Sequence, residues 1–423
     1  MQDIQLEKQD AAEVADLPGA QDEAQSEETG RRARRSGIAL CLSGGGFRAA
    51  LFHLGASRRL HELGVLPRVR TISSVSGGSI FAAFLADRLI KHNKASGLAF
   101  RHWESEVAAP FRAFAARDLR TLLVLAHLLW NWALPGLRAR HLERRYRKRL
   151  TGLRLRDLPE NPKFVFCATD LTFGVNWIFT REKAGDYQAG YVTSASDWPL
   201  ARAVAASSCF PPIFGPLRVR IPPAEFKRGN YRGEDRARLV SGLRLSDGGV
   251  YDNMGYEPVL RDHEYVLVSD CGAPFEFNVS SRPFSRLLRY TGVIMNQAGA
   301  LRKRLLFSAF TDGKFRGAYW GIGDSAPADP GGEFRGYAAG LVEEVISKVR
   351  TDLDAFTDAE MRVLENHGYF VADKALRRRL PEWFTGDAPP ARAPHLGWAD
   401  EAAVRRGLRG SASRLSVRRL LFG

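Results

Sequence analysis

Apolar positions along this chain change period repeatedly, and the changes predict alternating strands and helices. Residues 38–42 (Ile-Ala-Leu-Cys-Leu) are a short apolar run that stops at Ser43-Gly44-Gly45-Gly46, and helical spacing follows from Ala49 to Leu63. The succession then returns: residues 69–75 are β-rich, Ser76-Gly77-Gly78 is a sharp turn, and residues 80–89 have helical spacing. Two strand–turn–helix units in a row predict a parallel α/β sheet. Residues 163–169 (KFVFCAT) and 265–269 (YVLVS) are nearly all apolar, as strands buried on both faces are, and belong in its centre. Residues 103–150 read as a helical insertion, and residues 215–240 as loop. Thr357-Asp358-Ala359-Glu360 has capping-box form ahead of a helix expected to reach about residue 368.

Composition and charge set the limits of this picture. With 423 residues, 45% apolar and 26% charged, the chain can bury a large core. Residues 1–35 are expected to be a solvated, disordered acidic tail: the first thirty carry nine acids and one base, leaving +23 on residues 31–423. Residues 381–423, rich in Pro and Arg, read as a basic C-terminal tail, so that residues 36–380 form the folded domain. A body this basic favours a polyanion, either an anionic membrane surface or nucleic acid. No zinc-finger, RRM or KH signature appears, which disfavours nucleic acid. The four cysteines form no CxxC pair, so neither a disulfide framework nor a cysteine zinc site is expected, and a reducing cytoplasm fits. No signal peptide is readable, and the most apolar stretch, residues 122–134, falls short of the ~20 residues that span a bilayer.

Three turns carry candidate chemistry. Ser74-Val75-Ser76-Gly77-Gly78, between strand and helix, has the context of a nucleophile elbow, in which small neighbours let the turn close and push the Ser76 oxygen out of the sheet. The loop Gly44-Gly45-Gly46-Phe47-Arg48 can turn backbone N–H groups toward an anion, whether phosphate or oxyanion. It lacks the Gly-Lys-Ser/Thr ending of a P-loop and the GxGxxG of a dinucleotide site. Asp247-Gly248-Gly249 puts an acid on a glycine turn after the apolar residues 239–245, and offers a base for the serine. Residues 205–216 read as a wall of that site or as a plain loop.

In order and identity these motifs resemble the patatin-like phospholipase family, which is related to the catalytic core of the cytosolic phospholipases A2. The similarity extends over about residues 37–370. Two positions depart from the commoner pattern: Ala49 stands where many patatins have Gly, and Ser74 replaces the first glycine of the elbow. The resemblance implies a three-layer α/β fold with a mostly parallel central sheet flanked by helices. It further implies lipid acyl hydrolysis by a Ser76–Asp247 dyad, with oxyanion donors at Gly44, Gly45 and Gly46 and no metal or cofactor. Arg48 either adds to the field or orders the loop, or it is a surface salt bridge; Ser74, Gly77 and Gly78 shape the elbow.

The alternatives are a Ser–His–Asp esterase using His263, and a non-catalytic protein that binds anionic lipid or nucleic acid. The expected substrate is a phospholipid or other lipid ester. Residues 122–149, an apolar run opening at Leu122 and a basic run closing at Arg149, have the composition of a peripheral membrane contact. A helix packed on the sheet followed by a solvated basic helix explains the same residues. Oligomeric state is left open.

Overall fold

The computed structural model describes residues 35–92, 98–119, 136–211, 214–272, 283–326, 334–384 and 388–411. The expectations for the acidic N-terminal tail and for the apolar run 122–134 lie outside these residues. The compact unit is Gly37–Gly423.

The first unit predicted from the apolar period is β1 (Ile38–Leu42) and α1 (Gly46–Glu62); the second is β2 (Val69–Val75) and α2 (Gly77–His92). Next come α3 (Gly136–Arg149), β3 (Lys163–Asp170), β4 (Val175–Phe179), β5 (Ala184–Asp186), β6 (Gly190–Val192) and α4 (Leu200–Ser207). They are followed by β7 (Leu217–Arg218), β8 (Arg244–Asp247), β9 (Tyr265–Asp270), α5 (Pro283–Thr311), β10 (Arg316–Gly321) and α6 (Asp358–Arg379).

The strands form one mixed sheet in the order β10-β9-β1-β2-β3-β4-β5-β6, with β8 paired to β3 and β7. Strands β10, β9, β1, β2 and β3 run parallel, and the pairs from β3 outward are antiparallel. Alternate residues of β1 explain the three layers. Leu40 and Leu42 pack into the main core with residues of α1, α2 and α6, while Ala39 and Cys41 face Leu306 and Phe310 of α5.

Several boundaries differ from the sequence expectation. The capping box of α6 forms, Thr357 Oγ1 accepting from Glu360 N, but the helix continues to Arg379 because Leu376 is still buried. Residues 239–245 are not one strand: a short helix, Arg236–Ser241, precedes β8. The segment expected to trail as a basic tail from residue 381 instead packs back, at least to Ser411. Trp383 lies on the Tyr265 ring, the His395 imidazole meets the buried Glu365 at 2.8 Å, and Val404 and Leu408 are buried. Its polar composition hid these few anchors.

Close approach of backbones fixes glycine at Gly77, where a Cβ would overlap the Gly46 carbonyl oxygen. Gly77→Ala must therefore separate the elbow from the glycine loop. We expect a loss of roughly 1–3 kcal/mol, the usual cost of overpacking, read as a lower urea midpoint.

Candidate active site

Ser76 occupies the turn between β2 and α2 with φ of 50°, a left-handed conformation that a residue with a Cβ adopts only under constraint. The constraint is visible. The Ser76 N–H donates to Ser207 Oγ at 2.8 Å, while Gly78 N donates to Ser43 O at 3.1 Å. Beneath the turn a chain of hydroxyls runs through the core: Ser207 Oγ and Ser79 Oγ are 2.8 Å apart, Ser79 donates to Ser74 Oγ at 3.0 Å, and Ser74 donates to Val165 O. Ser79 has one proton and gives it to Ser74, so Ser207 is the donor to Ser79. A serine at position 74, where the elbow pattern has glycine, closes this buried chain.

Sheet register places the aspartate. β3 pairs with β2 as far as Val75 opposite Cys167, and its very next residue, Ala168, pairs with Asp247 of β8. One edge of β3 therefore carries the end of the nucleophile strand and then the acid, one strand step of about 3.3 Å apart. Thr169 Oγ1 donates to Asp247 O at 2.8 Å and ties the strand down. The carboxyl is 1% exposed; Oδ1 accepts from Gly249 N at 2.7 Å, and Oδ2 has no partner at full hydrogen-bond geometry. Burial pushes this carboxyl up to about 7, opposed by the Gly249 bond and by the nearby Ser76 hydroxyl. Ser76 Oγ thus stands near the carboxyl without a closed hydrogen bond.

The glycine loop faces the same corner: a Cβ at Gly44 would lie 3.1 Å from Ser76 Cβ. Its donors are not all free, however. Gly44 N donates to Asn253 O at 3.0 Å, which removes Gly44 from the expected set of oxyanion donors. By contrast, among the described residues Gly45 N, Gly46 N and, from the elbow, Gly77 N make no such loop bond to a backbone carbonyl. Arg48 is 2% exposed and its guanidinium donates to Ser347 O (2.9 Å), Val349 O (3.0 Å) and Cys271 O (2.9 Å). These bonds order the loop's floor, so the surface salt bridge is excluded. Arg48→Met should strand three buried carbonyls and lower stability by about 3 kcal/mol or more in a urea titration, given ~1–3 kcal/mol per unsatisfied group.

The family model for patatin-like phospholipases matches residues 40–260, just over half of the chain, a span that holds the loop, the elbow and Asp247. The chain belongs to the patatin-like phospholipase family. Among solved structures, human GIVD cytosolic phospholipase A2 is similar at 12% identity with a TM-score of 0.43, covering 92% of this chain and 64% of that one. The chain thus spans less than two thirds of that protein's length. VipD from Legionella pneumophila is similar at 15% identity, with a TM-score of 0.33, over 82% of this chain and 67% of that one. ExoU of the Pseudomonas aeruginosa type III secretion system, solved with SpcU, is similar at 16% identity and a TM-score of 0.24, over 89% and 78%. A search of curated proteins finds no match.

In this patatin-like domain the histidine alternative meets a geometric obstacle. His263 Nε2 lies 2.9 Å from Thr71 Oγ1, and Nδ1 is 3.2 Å from Val259 O. Thr71 is five residues before Ser76 along β2, about 16 Å at 3.3 Å per residue, so His263 sits toward the opposite end of the strand. His53 is nearer but committed. Its Nε2 meets Ser43 O at 2.9 Å and its Nδ1 meets Ser269 Oγ at 2.7 Å, while Trp320 donates to that hydroxyl. Burial lowers the His53 pKa to about 4, which keeps the ring neutral as a prop under the loop.

Two residues of the site escape a motif reading. Ser207 belongs to the small-residue segment at 205–216, where nothing distinguishes it from its neighbour Ser208. Asn253 fixes Gly44 through its backbone, and its side-chain oxygen lies against both Gly44 and Gly249. Its place five residues after Gly248 carries no recognisable pattern.

Proposed function

We propose that this protein is a lipid acyl hydrolase using a Ser76–Asp247 dyad. Ser76 Oγ attacks the ester carbonyl as its proton passes to Asp247; the carbonyl electrons move to oxygen, and the N–H groups of Gly45, Gly46 and Gly77 receive the oxyanion. Collapse expels the alcohol, which takes the proton back from Asp247 and leaves an acyl-serine. Asp247 then takes a proton from water, whose oxygen attacks the acyl carbon, and the fatty acid departs as Ser76 regains its proton. The observation that carries this reading is the left-handed Ser76 one register step from a buried carboxyl with an unpartnered oxygen.

The substrate we propose is a phospholipid or related lipid ester, reached from the cytoplasm at a membrane surface. Among the described residues no helix is long and apolar enough to cross a membrane, and all four cysteines are free and buried. The test is fatty-acid release from mixed phospholipid and neutral-ester vesicles, with fluorophosphonate labelling alongside. Release and labelling by wild type, both lost in Ser76→Ala, support the reading and name the ester class. Labelling that persists in Ser76→Ala places the nucleophile elsewhere, and an unlabelled, inactive wild type favours a binding role.

A further inference from the structure

Helix α5 is longer than the sheet it covers. Its 29 residues, at ~1.5 Å each, measure about 43 Å, against about 20 Å for the six residues of β9. The lower half is anchored: Leu306 and Phe310 pack on the sheet face with Val266 and Val268, and Arg302 is paired with Glu257 at 3.2 Å. Lys303 Nζ, 3.4 Å from Asp270 Oδ2 at the carboxyl end of β9, marks where the helix passes the sheet edge. The preceding twenty residues therefore extend roughly 30 Å beyond that edge, on the side where Ser76 leaves β2. Parallel strands joined by a crossover helix place it there by topology.

The helix is apolar on its outer face, along the extension and for one turn past the sheet edge. Tyr290 is 62% exposed, Ile294 68%, Leu301 54% and Leu305 65%. At 100° per residue these four fall within about 60° of one another, forming a single stripe. Singly exposed apolar residues are ordinary, but an aligned stripe this long marks an interaction surface. Its charge selects the occupant. Between Pro283 and Thr311 the helix has Arg286, Arg289, Arg302, Lys303 and Arg304 and no Asp or Glu; Arg302 and Lys303 are matched by Glu257 and Asp270, and Arg286, Arg289 and Arg304 are further cations on a body carrying +23. A second copy would bring the same cations against these; an anionic lipid surface complements them and takes up the stripe.

We infer that α5 docks the protein on anionic membranes through Tyr290, Ile294, Leu301 and Leu305. For the identity of the surface this rests on the lipid-hydrolase reading. It differs from the contact expected at residues 122–149: there α3 buries Leu142 and Tyr146 and turns Arg140, Arg144 and Arg147 outward, while residues 120–135 lie outside the described residues.

The test is co-sedimentation of the full chain with vesicles of phosphatidylcholine containing phosphatidylglycerol, and with pure phosphatidylcholine vesicles. Ile294→Asp with Leu301→Asp, and separately Arg304→Glu, are compared with wild type, with fluorophosphonate labelling in vesicle-free solution and light scattering in parallel. We expect wild type to partition to the anionic vesicles. The double variant should lose at least tenfold in partitioning with labelling unchanged, and Arg304→Glu should lose less, with a weaker salt dependence. Undiminished partitioning of the double variant overturns the proposal, as does a wild-type dimer that this variant dissociates, for then a second copy covers the stripe. Absent labelling with normal partitioning would defeat the catalytic reading and leave the docking surface standing.

Discussion

Ser76→Ala is expected to reduce ester hydrolysis by on the order of 10⁴-fold or more and to abolish fluorophosphonate labelling, because in the proposed mechanism Ser76 carries the acyl intermediate. The same position permits a second measurement that separates chemistry from structure. Ser76 holds φ of 50°, a conformation that costs a residue with a Cβ about 1 kcal/mol and costs glycine almost nothing. Ser76→Gly should therefore be as inactive as Ser76→Ala yet more stable than wild type or Ser76→Ala, by about 1 kcal/mol. A urea titration of the three proteins reads the difference. If Ser76→Gly were the least stable of the three, the strained elbow would not be where the structure places it.

That strain is the part of the site most legible in the sequence. A strand, a serine and two glycines leave few ways to turn a chain into a helix, and Gly77 cannot carry a Cβ against Gly46. The parallel core was legible for a similar reason: β1, β3 and β9 are buried on both faces and lack polar interruptions. What stayed hidden depends on tertiary pairing. β5 and β6 are three residues each, too short to show a period, and β7 is two. The sequence places Asp247 on a glycine turn, but only the register of β8 on β3 brings it to Ser76. Gly44 looked like an oxyanion donor among three alike, and only the fold brings the Asn253 carbonyl to its N–H. Ser207 acts through two hydrogen bonds and Asn253 through one, which leave no mark on composition or spacing.

Asp247→Asn should separate activity from stability in opposite directions. With burial holding the carboxyl near 7 against an ordinary value of 3.8, a large share of the dyad is ionised, and able to take a proton, only as pH rises through about 7. Wild-type kcat/KM should climb over that range and level above it. Removing the base should cost about 10²–10⁴-fold and erase the rising limb. Stability runs the other way: the folded state holds this proton more tightly than the unfolded chain, so the group's contribution is fully present below about pH 4 and is lost as pH rises to about 7. Asparagine carries no charge to desolvate and can still accept from Gly249 N. At pH 8 the variant should therefore be more stable than wild type by roughly 2–4 kcal/mol, a gap that closes toward pH 4. Urea midpoints at the two pH values measure it. An equal midpoint at both, with activity lost, would mean that Asp247 is already ionised at low pH, and the base would then owe nothing to burial.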